Sequence, residues 1–292
     1  MDAVSCVDFG SEDTLFVGTQ DGWIHVWDLS INRKKLSFQV GNSVCLAVKV
    51  HFKTLITQIK GEAVTIRNLS EKFELQHQFD NSYVGFCKIE VDSTFLYLPG
   101  DNAEIKVMNL NNYNMEKCLC CTADKLGEVM AMKAMKYLSC SLLLVGYESG
   151  DMYMWDVFKG NRISQYKIDN VPMALDFDVH SGKGVCGTES NKVVIFRIDT
   201  DFTFSHEKSI LLTNPGVSTA IIRPDRKIMV LGCWDGNLRV YSWKSGRILA
   251  VLSEHAETIN DLSYSSCVIK MWDSILLAAG SKDKSVSLWS FL

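Results

Sequence analysis

One pattern returns along this 292-residue chain: a short apolar segment ending in Gly, a polar turn, then an alternating segment ending in an aromatic residue. It first reads Gly18-Thr19-Gln20-Asp21-Gly22-Trp23-Ile24-His25-Val26-Trp27-Asp28. It returns as Gly146-Tyr147-Glu148-Ser149-Gly150-Asp151-Met152-Tyr153-Met154-Trp155-Asp156 and as Gly232-Cys233-Trp234-Asp235-Gly236-Asn237-Leu238-Arg239-Val240-Tyr241. The chain ends on Gly280-Ser281-Lys282-Asp283-Lys284-Ser285-Val286-Ser287-Leu288-Trp289-Ser290. Weaker copies run from Lys60 to Asn68, from Gly100 to Asn109 and from Gly187 to Phe196. The closing positions are Trp27, Arg67, Met108, Trp155, Phe196, Tyr241 and Trp289, spaced by 40, 41, 47, 41, 45 and 48 residues.

A period of about 40–45 residues is that of a four-stranded propeller blade, and the longer gaps fit loop insertions. Each unit carries two earlier strand-like segments, such as Val4 to Phe9 with Leu15 to Gly18, and Ser218 to Arg223 with Ile228 to Gly232. They are short, β-branched and bounded by turn residues. Many are apolar on both faces, as expected where each blade is sandwiched between two neighbours. Asp21-Gly22 and Asp235-Gly236 stand where a tight hairpin needs φ > 0. Four prolines and no Gly/Ser-rich linker argue for one domain over residues 1–292. The expected fold is an all-β, seven-bladed β-propeller whose last blade lacks its outer strand, with an N-terminus truncated in this sequence.

Composition narrows the function. The net charge of −4 is dispersed, which argues against nucleic-acid binding. No positively charged region precedes an apolar stretch at the start, and apolar runs such as Leu142 to Val145 are too short for a bilayer. The expectation is a soluble intracellular protein without membrane contact. Ten cysteines scattered through strand-like segments read as reduced, mostly buried thiols. Cys118-Leu119-Cys120-Cys121 holds a C-x-x-C spacing but has no second pair and no nearby His, so no metal is expected. The six histidines, His25, His51, His77, His180, His206 and His255, form no catalytic motif. Neither catalysis nor a cofactor is expected.

Trp27-Asp28 and Trp155-Asp156 resemble the dipeptide that closes WD repeats. In that family the turn Asp accepts a hydrogen bond from a His at the blade entrance, an arrangement this sequence matches only with His255 and Asp283. The positions expected to build the blades are Trp27, Asp28, Trp155, Asp156, Tyr241, Trp289, Asp21, Asp235, His255 and Asp283. With few such His pairs, cohesion is expected to rest mainly on apolar packing between blades. The last third is sharper: Leu212-Thr213-Asn214-Pro215-Gly216, Ile222-Arg223-Pro224-Asp225-Arg226-Lys227, Gly232-Cys233-Trp234-Asp235 and Ala278-Ala279-Gly280-Ser281-Lys282-Asp283. Together with Gly85-Phe86-Cys87 and Leu144-Val145-Gly146-Tyr147-Glu148, these resemble the guanine nucleotide-binding protein subunit beta-like protein 1 family. That family is related to the ASTRA-associated protein 1 group. The resemblance implies a non-enzymatic adaptor, a monomeric propeller within a complex. Its expected partner is the cochaperone complex that stabilises phosphatidylinositol 3-kinase-related kinases in DNA-damage and growth signalling, in the cytoplasm, the nucleus or both.

Candidate partner-binding residues are Trp234 in a hairpin turn, Trp272 in the insertion before Ile275, and Arg223 and Arg226 in a basic turn with Lys227. Interface anchors favour Trp and Arg. Two alternatives compete. A G-protein β-like signalling subunit needs an N-terminal coiled-coil helix, and this chain has no heptads. A ubiquitin-ligase substrate receptor often places Arg two residues after the Trp-Asp pair, where this chain has Leu29-Ser30 and Val157-Phe158.

Overall fold

Short β-branched runs broken by Asx and Gly turns leave no stretch with helical periodicity. The computed structural model, which describes residues 1–10, 13–70, 72–121 and 125–291, accordingly holds strands and no helix among them. The first sheet is β1 (Val4–Phe9), β2 (Thr14–Thr19), β3 (Trp23–Asp28) and β4 (Arg33–Gln39). The second is β5 (Cys45–His51), β6 (Thr54–Ile59), β7 (Ala63–Asn68) and β8 (Leu75–Asp80). The third is β9 (Glu90–Val91), β10 (Phe95–Pro99), β11 (Ile105–Asn109) and β12 (Met115–Leu119). The fourth is β13 (Val129–Tyr137), β14 (Cys140–Tyr147), β15 (Asp151–Asp156) and β16 (Asn161–Lys167). The fifth is β17 (Pro172–Asp178), β18 (Lys183–Thr188), β19 (Lys192–Ile198) and β20 (Phe204–Leu211). The sixth is β21 (Val217–Ile222), β22 (Ile228–Cys233), β23 (Leu238–Ser242) and β24 (Ile248–Leu252). The seventh, β25 (Ile259–Tyr264), β26 (Leu277–Ser281) and β27 (Val286–Trp289), has three strands among the described residues. The fold is a seven-bladed β-propeller of the all-β class.

Each closing position of the sequence repeat lies in the third strand of its sheet: Trp27, Arg67, Met108, Trp155, Phe196, Tyr241 and Trp289. In five sheets the pairing of third and fourth strands shifts at that residue, as between Val26 and Trp27 or Met154 and Trp155. The inner strands carry a second recurrent irregularity, as at Val4/Cys6, Cys45/Ala47, Pro172/Ala174 and Ile259/Asp261. Bulges of this kind bend a strand and raise its twist.

The chain divides into two compact units, one of Met1–Val84, Trp234–Leu238 and Val251–Leu292, the other of Gly85–Cys233 and Arg239–Ala250. In the second unit the alternation of strand side chains separates two cores. On β18, Cys186 joins Leu142, Leu144, Met154, Phe177 and Phe196, while Val185 joins Met229, Leu231, Tyr241 and Trp243. Strand β18 is thus buried on both faces. In the first unit, Leu15 and Val17 of β2 pack with Val4, Leu276 and Ala278, whereas Phe16 packs with Cys45, Val48 and Leu55. Burying each such side chain contributes roughly 1.5–3 kcal/mol.

The glycine one residue before the end of the second strand in several repeats has a steric reason. A Cβ on Gly187 would stand 2.5 Å from Val217 Cγ1, and one on Gly146 2.6 Å from Pro172 Cγ. In the first unit, a Cβ on Gly280 would meet Val4 Cγ1 at 2.6 Å and one on Gly18 would meet Cys45 Sγ at 3.0 Å. Only hydrogen at these positions lets the neighbouring inner strand approach. Polar bonds add to the packing. The Val50 N–H donates to Asp8 Oδ2 at 2.8 Å, and the Val7 N–H donates to Asp261 Oδ2 at 2.9 Å. The Ile222 N–H donates to Asp176 Oδ2 at 2.6 Å, and Lys133 Nζ lies 2.8 Å from Asp176 Oδ1. Each bond links the inner strands of adjacent sheets within one unit.

The last sheet contains a side-chain chain of hydrogen bonds. His255 Nδ1 lies 2.9 Å from Asp283 Oδ2, and His255 Nε2 lies 2.8 Å from Ser287 Oγ. The Trp289 indole N–H donates to Ser287 Oγ at 2.7 Å. With Nδ1–H donating to Asp283, the Ser287 hydroxyl donates to Nε2 and accepts from Trp289; Ser285 Oγ also lies 2.9 Å from Nδ1, and Asp283 Oδ2 also accepts the Ala256 N–H at 3.0 Å. Burial pushes the Asp283 carboxyl up, but hydrogen bonds from Ser285, the Ala256 amide and His255 outweigh it and hold its pKa at about 2.

Two outcomes follow for stability. Gly187→Val should cost about 2 kcal/mol by overpacking and lower Tm by roughly 5 °C for a chain of this size, read by calorimetry. His255→Ala should cost about 2 kcal/mol by stranding Asp283 and Ser287. Because the folded Asp283 pKa lies below its ordinary value of 3.8, its contribution is whole above about pH 4 and fades toward pH 2. Denaturant melts at stepped pH should show Asp283→Asn flattening the stability profile in that window.

Candidate protein-interaction surface

Tight turns join the second and third strands, and their residues are fixed from within. Asp235 Oδ1 accepts the Asn237 N–H at 3.1 Å, Asp283 Oδ1 accepts the Ser285 N–H at 3.0 Å, and Thr19 Oγ1 donates to Asp21 Oδ1 at 2.5 Å. Gly22 and Gly236 adopt φ of 77° and 79°. Beyond that backbone requirement, a Cβ on either would lie 2.3–2.4 Å from a carbonyl oxygen, of Gly41 or of His255. The turn is therefore packed against the segment that enters the next sheet, which keeps its exposed side chains in place. Asp28 and Asp156 end their third strands in the same manner: Asp28 Oδ1 accepts the Ser30 N–H at 2.9 Å, and Asp156 Oδ1 accepts the Lys159 N–H at 3.0 Å.

Trp234 sits in the β22–β23 turn with 41% of its surface exposed, although it is a large apolar side chain. Its carbonyl accepts the Thr258 hydroxyl at 3.1 Å, anchoring the backbone beneath the ring. Trp272 behaves differently. It is half-buried, its amide donates to Ile269 O at 3.1 Å, and its ring packs on the cluster of Leu29, Ile269 and Leu276. Its ring is committed to holding the insertion before β26.

The basic turn also separates into two kinds of residue. Arg223 Nε donates to Asp225 Oδ1 at 2.8 Å, and its side chain is only 12% exposed. Burial pushes the Asp225 carboxyl up, but the Arg223 bond and the Lys227 amide hold it below its ordinary value. Arg223 is thereby neutralised. Arg226 is exposed, sits at φ 61° in the turn closed by its own N–H to Arg223 O, and has no side-chain partner among the described residues.

The cysteines depart from the expectation of mostly buried thiols. All ten are free, but only Cys6, Cys45, Cys87, Cys186 and Cys233 are buried. Strand β12 ends at Leu119, so Cys120 and Cys121 lie beyond it. Burial and a 2.8 Å hydrogen bond to Glu104 push the Cys118 thiol up to about 12, which disfavours the reactive thiolate. Among the described residues, no group of three or more His, Cys, Asp or Glu is arranged to hold a metal ion. No helix there is long and apolar enough to cross a membrane.

Sequence reasoning passed over Asp178. Its Oδ2 accepts the Ser181 hydroxyl at 2.5 Å and the Trp243 indole N–H at 3.1 Å, and its Oδ1 accepts the His180 N–H at 3.0 Å. The Asp178–Trp243 pair spans 65 residues, and no local spacing signals it.

Residues 1–28 and 246–290 match the family model described as "WD domain, G-beta repeat". The chain is 30% identical over 290 residues to guanine nucleotide-binding protein subunit beta-like protein 1 of Mus musculus, covering 94% of this chain and 87% of that protein. It is 31% identical over 181 residues to ASTRA-associated protein 1 of Schizosaccharomyces japonicus, covering 57% of this chain and 48% of that protein. It is 41% identical over 68 residues to ASTRA-associated protein 1 of Schizosaccharomyces pombe, covering 23% and 17%. A seven-sheet propeller with WD-type repeats and a relative matched along nearly its whole length together place the chain: it belongs to the guanine nucleotide-binding protein subunit beta-like protein 1 family of WD-repeat proteins.

Proposed function

We propose that this chain is a non-enzymatic adaptor, residues 1–292 acting as one propeller domain. It works with the cochaperone complex that stabilises phosphatidylinositol 3-kinase-related kinases, in the cytoplasm, the nucleus or both. The observation that carries this reading is the alignment along 94% of the chain with a beta-like protein 1, joined by two relatives whose names associate them with ASTRA. The WD-repeat scaffold itself supports protein–protein interaction. On it, Trp234 supplies an exposed aromatic on a backbone-anchored turn, the kind of residue that dominates interface energies. Arg226 supplies an uncommitted cation.

Affinity purification of the tagged chain with mass spectrometry tests this. Cochaperone subunits and their kinase clients should co-purify, and Trp234→Ala should reduce their recovery several-fold while shifting Tm by no more than about 1 °C. Recovery of a G-protein γ subunit or of cullin adaptors in their place would overturn it.

A further inference from the structure

A cleft of about 380 Å³ opens in the second unit between the turn that follows β17, the turn that follows β21 and the turn that follows β23. It is lined by Asp178, His180, Ser181, Lys183, Arg226, Trp243 and Lys244. Its charge is lopsided. Three side chains are permanently cationic, and the one carboxylate is turned inward, its side chain 4% exposed. Asp178 is also saturated: Ser181, Trp243 and the His180 amide occupy both its oxygens. Burial pushes that carboxyl up, but these hydrogen bonds hold it below its ordinary value, so it stays ionised and acts as a fixed wall. The rim cations are unequal. Lys183 is paired with Glu207, which also holds Arg197. Arg226 and Lys244 have no side-chain partner among the described residues. The cleft's one anion is this buried carboxylate, set against three cations, of which Arg226 and Lys244 carry no paired carboxylate among the described residues.

We propose that this cleft binds a phosphorylated serine or threonine side chain of a partner protein, with Arg226 and Lys244 gripping the phosphate. A phosphate carries nearly two charges and three strong acceptors at neutral pH, which suits a guanidinium and an ammonium that line one cleft from two turns. The recognition of phosphorylated segments by clustered cations is an established mode. The cleft is open and larger than one phosphate requires, and Trp243 lines it. It therefore has room for the peptide residue that flanks the modified one. The choice of a protein as the source of the phosphate rests on the adaptor reading above.

The test uses the whole chain labelled with ¹⁵N and follows the Trp243 indole N–H and the amides of residues 180–183 and 225–227. The probes are an acetylated, amidated Ala-phosphoserine-Ala tripeptide, its unphosphorylated twin, inorganic phosphate, and phosphatidylserine vesicles. The phosphopeptide should shift these signals saturably, bind at least tenfold tighter than the twin, and weaken as salt is raised. The double variant Arg226→Gly, Lys244→Ala should weaken it at least about tenfold; glycine suits the φ of position 226, so the turn is kept. Lys244→Ala alone, on an exposed side chain, should weaken it in the same direction and guards against a folding defect in the double variant. Four results would overturn the proposal: no shift at Trp243, equal binding by the twin, unchanged affinity in both variants, or inorganic phosphate or vesicles binding as tightly as the phosphopeptide. Recovery of the cochaperone complex by the tagged chain is read separately. If phosphopeptide binding is absent and the complex still co-purifies, the cleft assignment fails and the adaptor reading stands. Phosphopeptide binding without the complex gives the reverse.

Discussion

The close approach of one sheet's inner strand to the second strand of its neighbour is the constraint on which the structure depends. A strand such as β18 is apolar on both faces, and a single sheet cannot cover both. Two clusters, one on each side of Val185 and Cys186, solve this by placing a sheet against each face. The contact is tight enough that Gly146, Gly187 and Gly280 leave no room for a Cβ. Oil-like collapse would not require this; crystal-like packing does. Within the first unit the same contact joins the first and last sheets, where Val4 lies over Gly280 and Asp261 accepts the Val7 N–H.

The proposed adaptor role draws on that rigidity. The hairpin turns are pinned by Asx hydrogen bonds and by carbonyls packed against Gly22 and Gly236, so side chains carried there lose little freedom on binding. Trp234 is therefore an exposed group on ordered backbone, and Arg226, in the β21–β22 turn, is held by its own N–H to Arg223 O and by the Lys227 N–H to Asp225 Oδ1. Buried polar groups serve the scaffold. Asp178 and Asp283 each satisfy several donors and stay ionised by those bonds.

Much of the scaffold was legible in the sequence because it depends on local pattern. The third strands, with their closing residues from Trp27 to Trp289, are set by alternation over a few residues and by the turn chemistry before them. The His255–Asp283 pair was legible too, since two recognisable turns carry it. Ser287, which completes that chain of bonds, carried no signal of its own because serine is common in strands. The third sheet's inner strand, only Glu90–Val91, is too short for any period to show. The bonds from Val50 to Asp8 and from Ile222 to Asp176 need the register between sheets, which no linear spacing encodes. For the same reason Trp272 could not be told from an exposed anchor, nor Arg223 from a free cation. Each is settled by a neighbour brought in by the fold. The exposed cysteines likewise depend on where β12 stops.

If neighbouring sheets hold one another, protection of the first inner strand must depend on the last sheet. Amide hydrogen exchange read by mass spectrometry on the double variant Asn260→Ala, Asp261→Ala measures this directly. These side chains reach Val4 O at 2.6 Å and the Val7 N–H at 2.9 Å. The account predicts that Val4–Phe9 and Ile259–Tyr264 lose protection together, at sites beyond Val7 itself. Faster exchange confined to Ile259–Tyr264, with Val4–Phe9 as protected as in the unaltered chain, would contradict it.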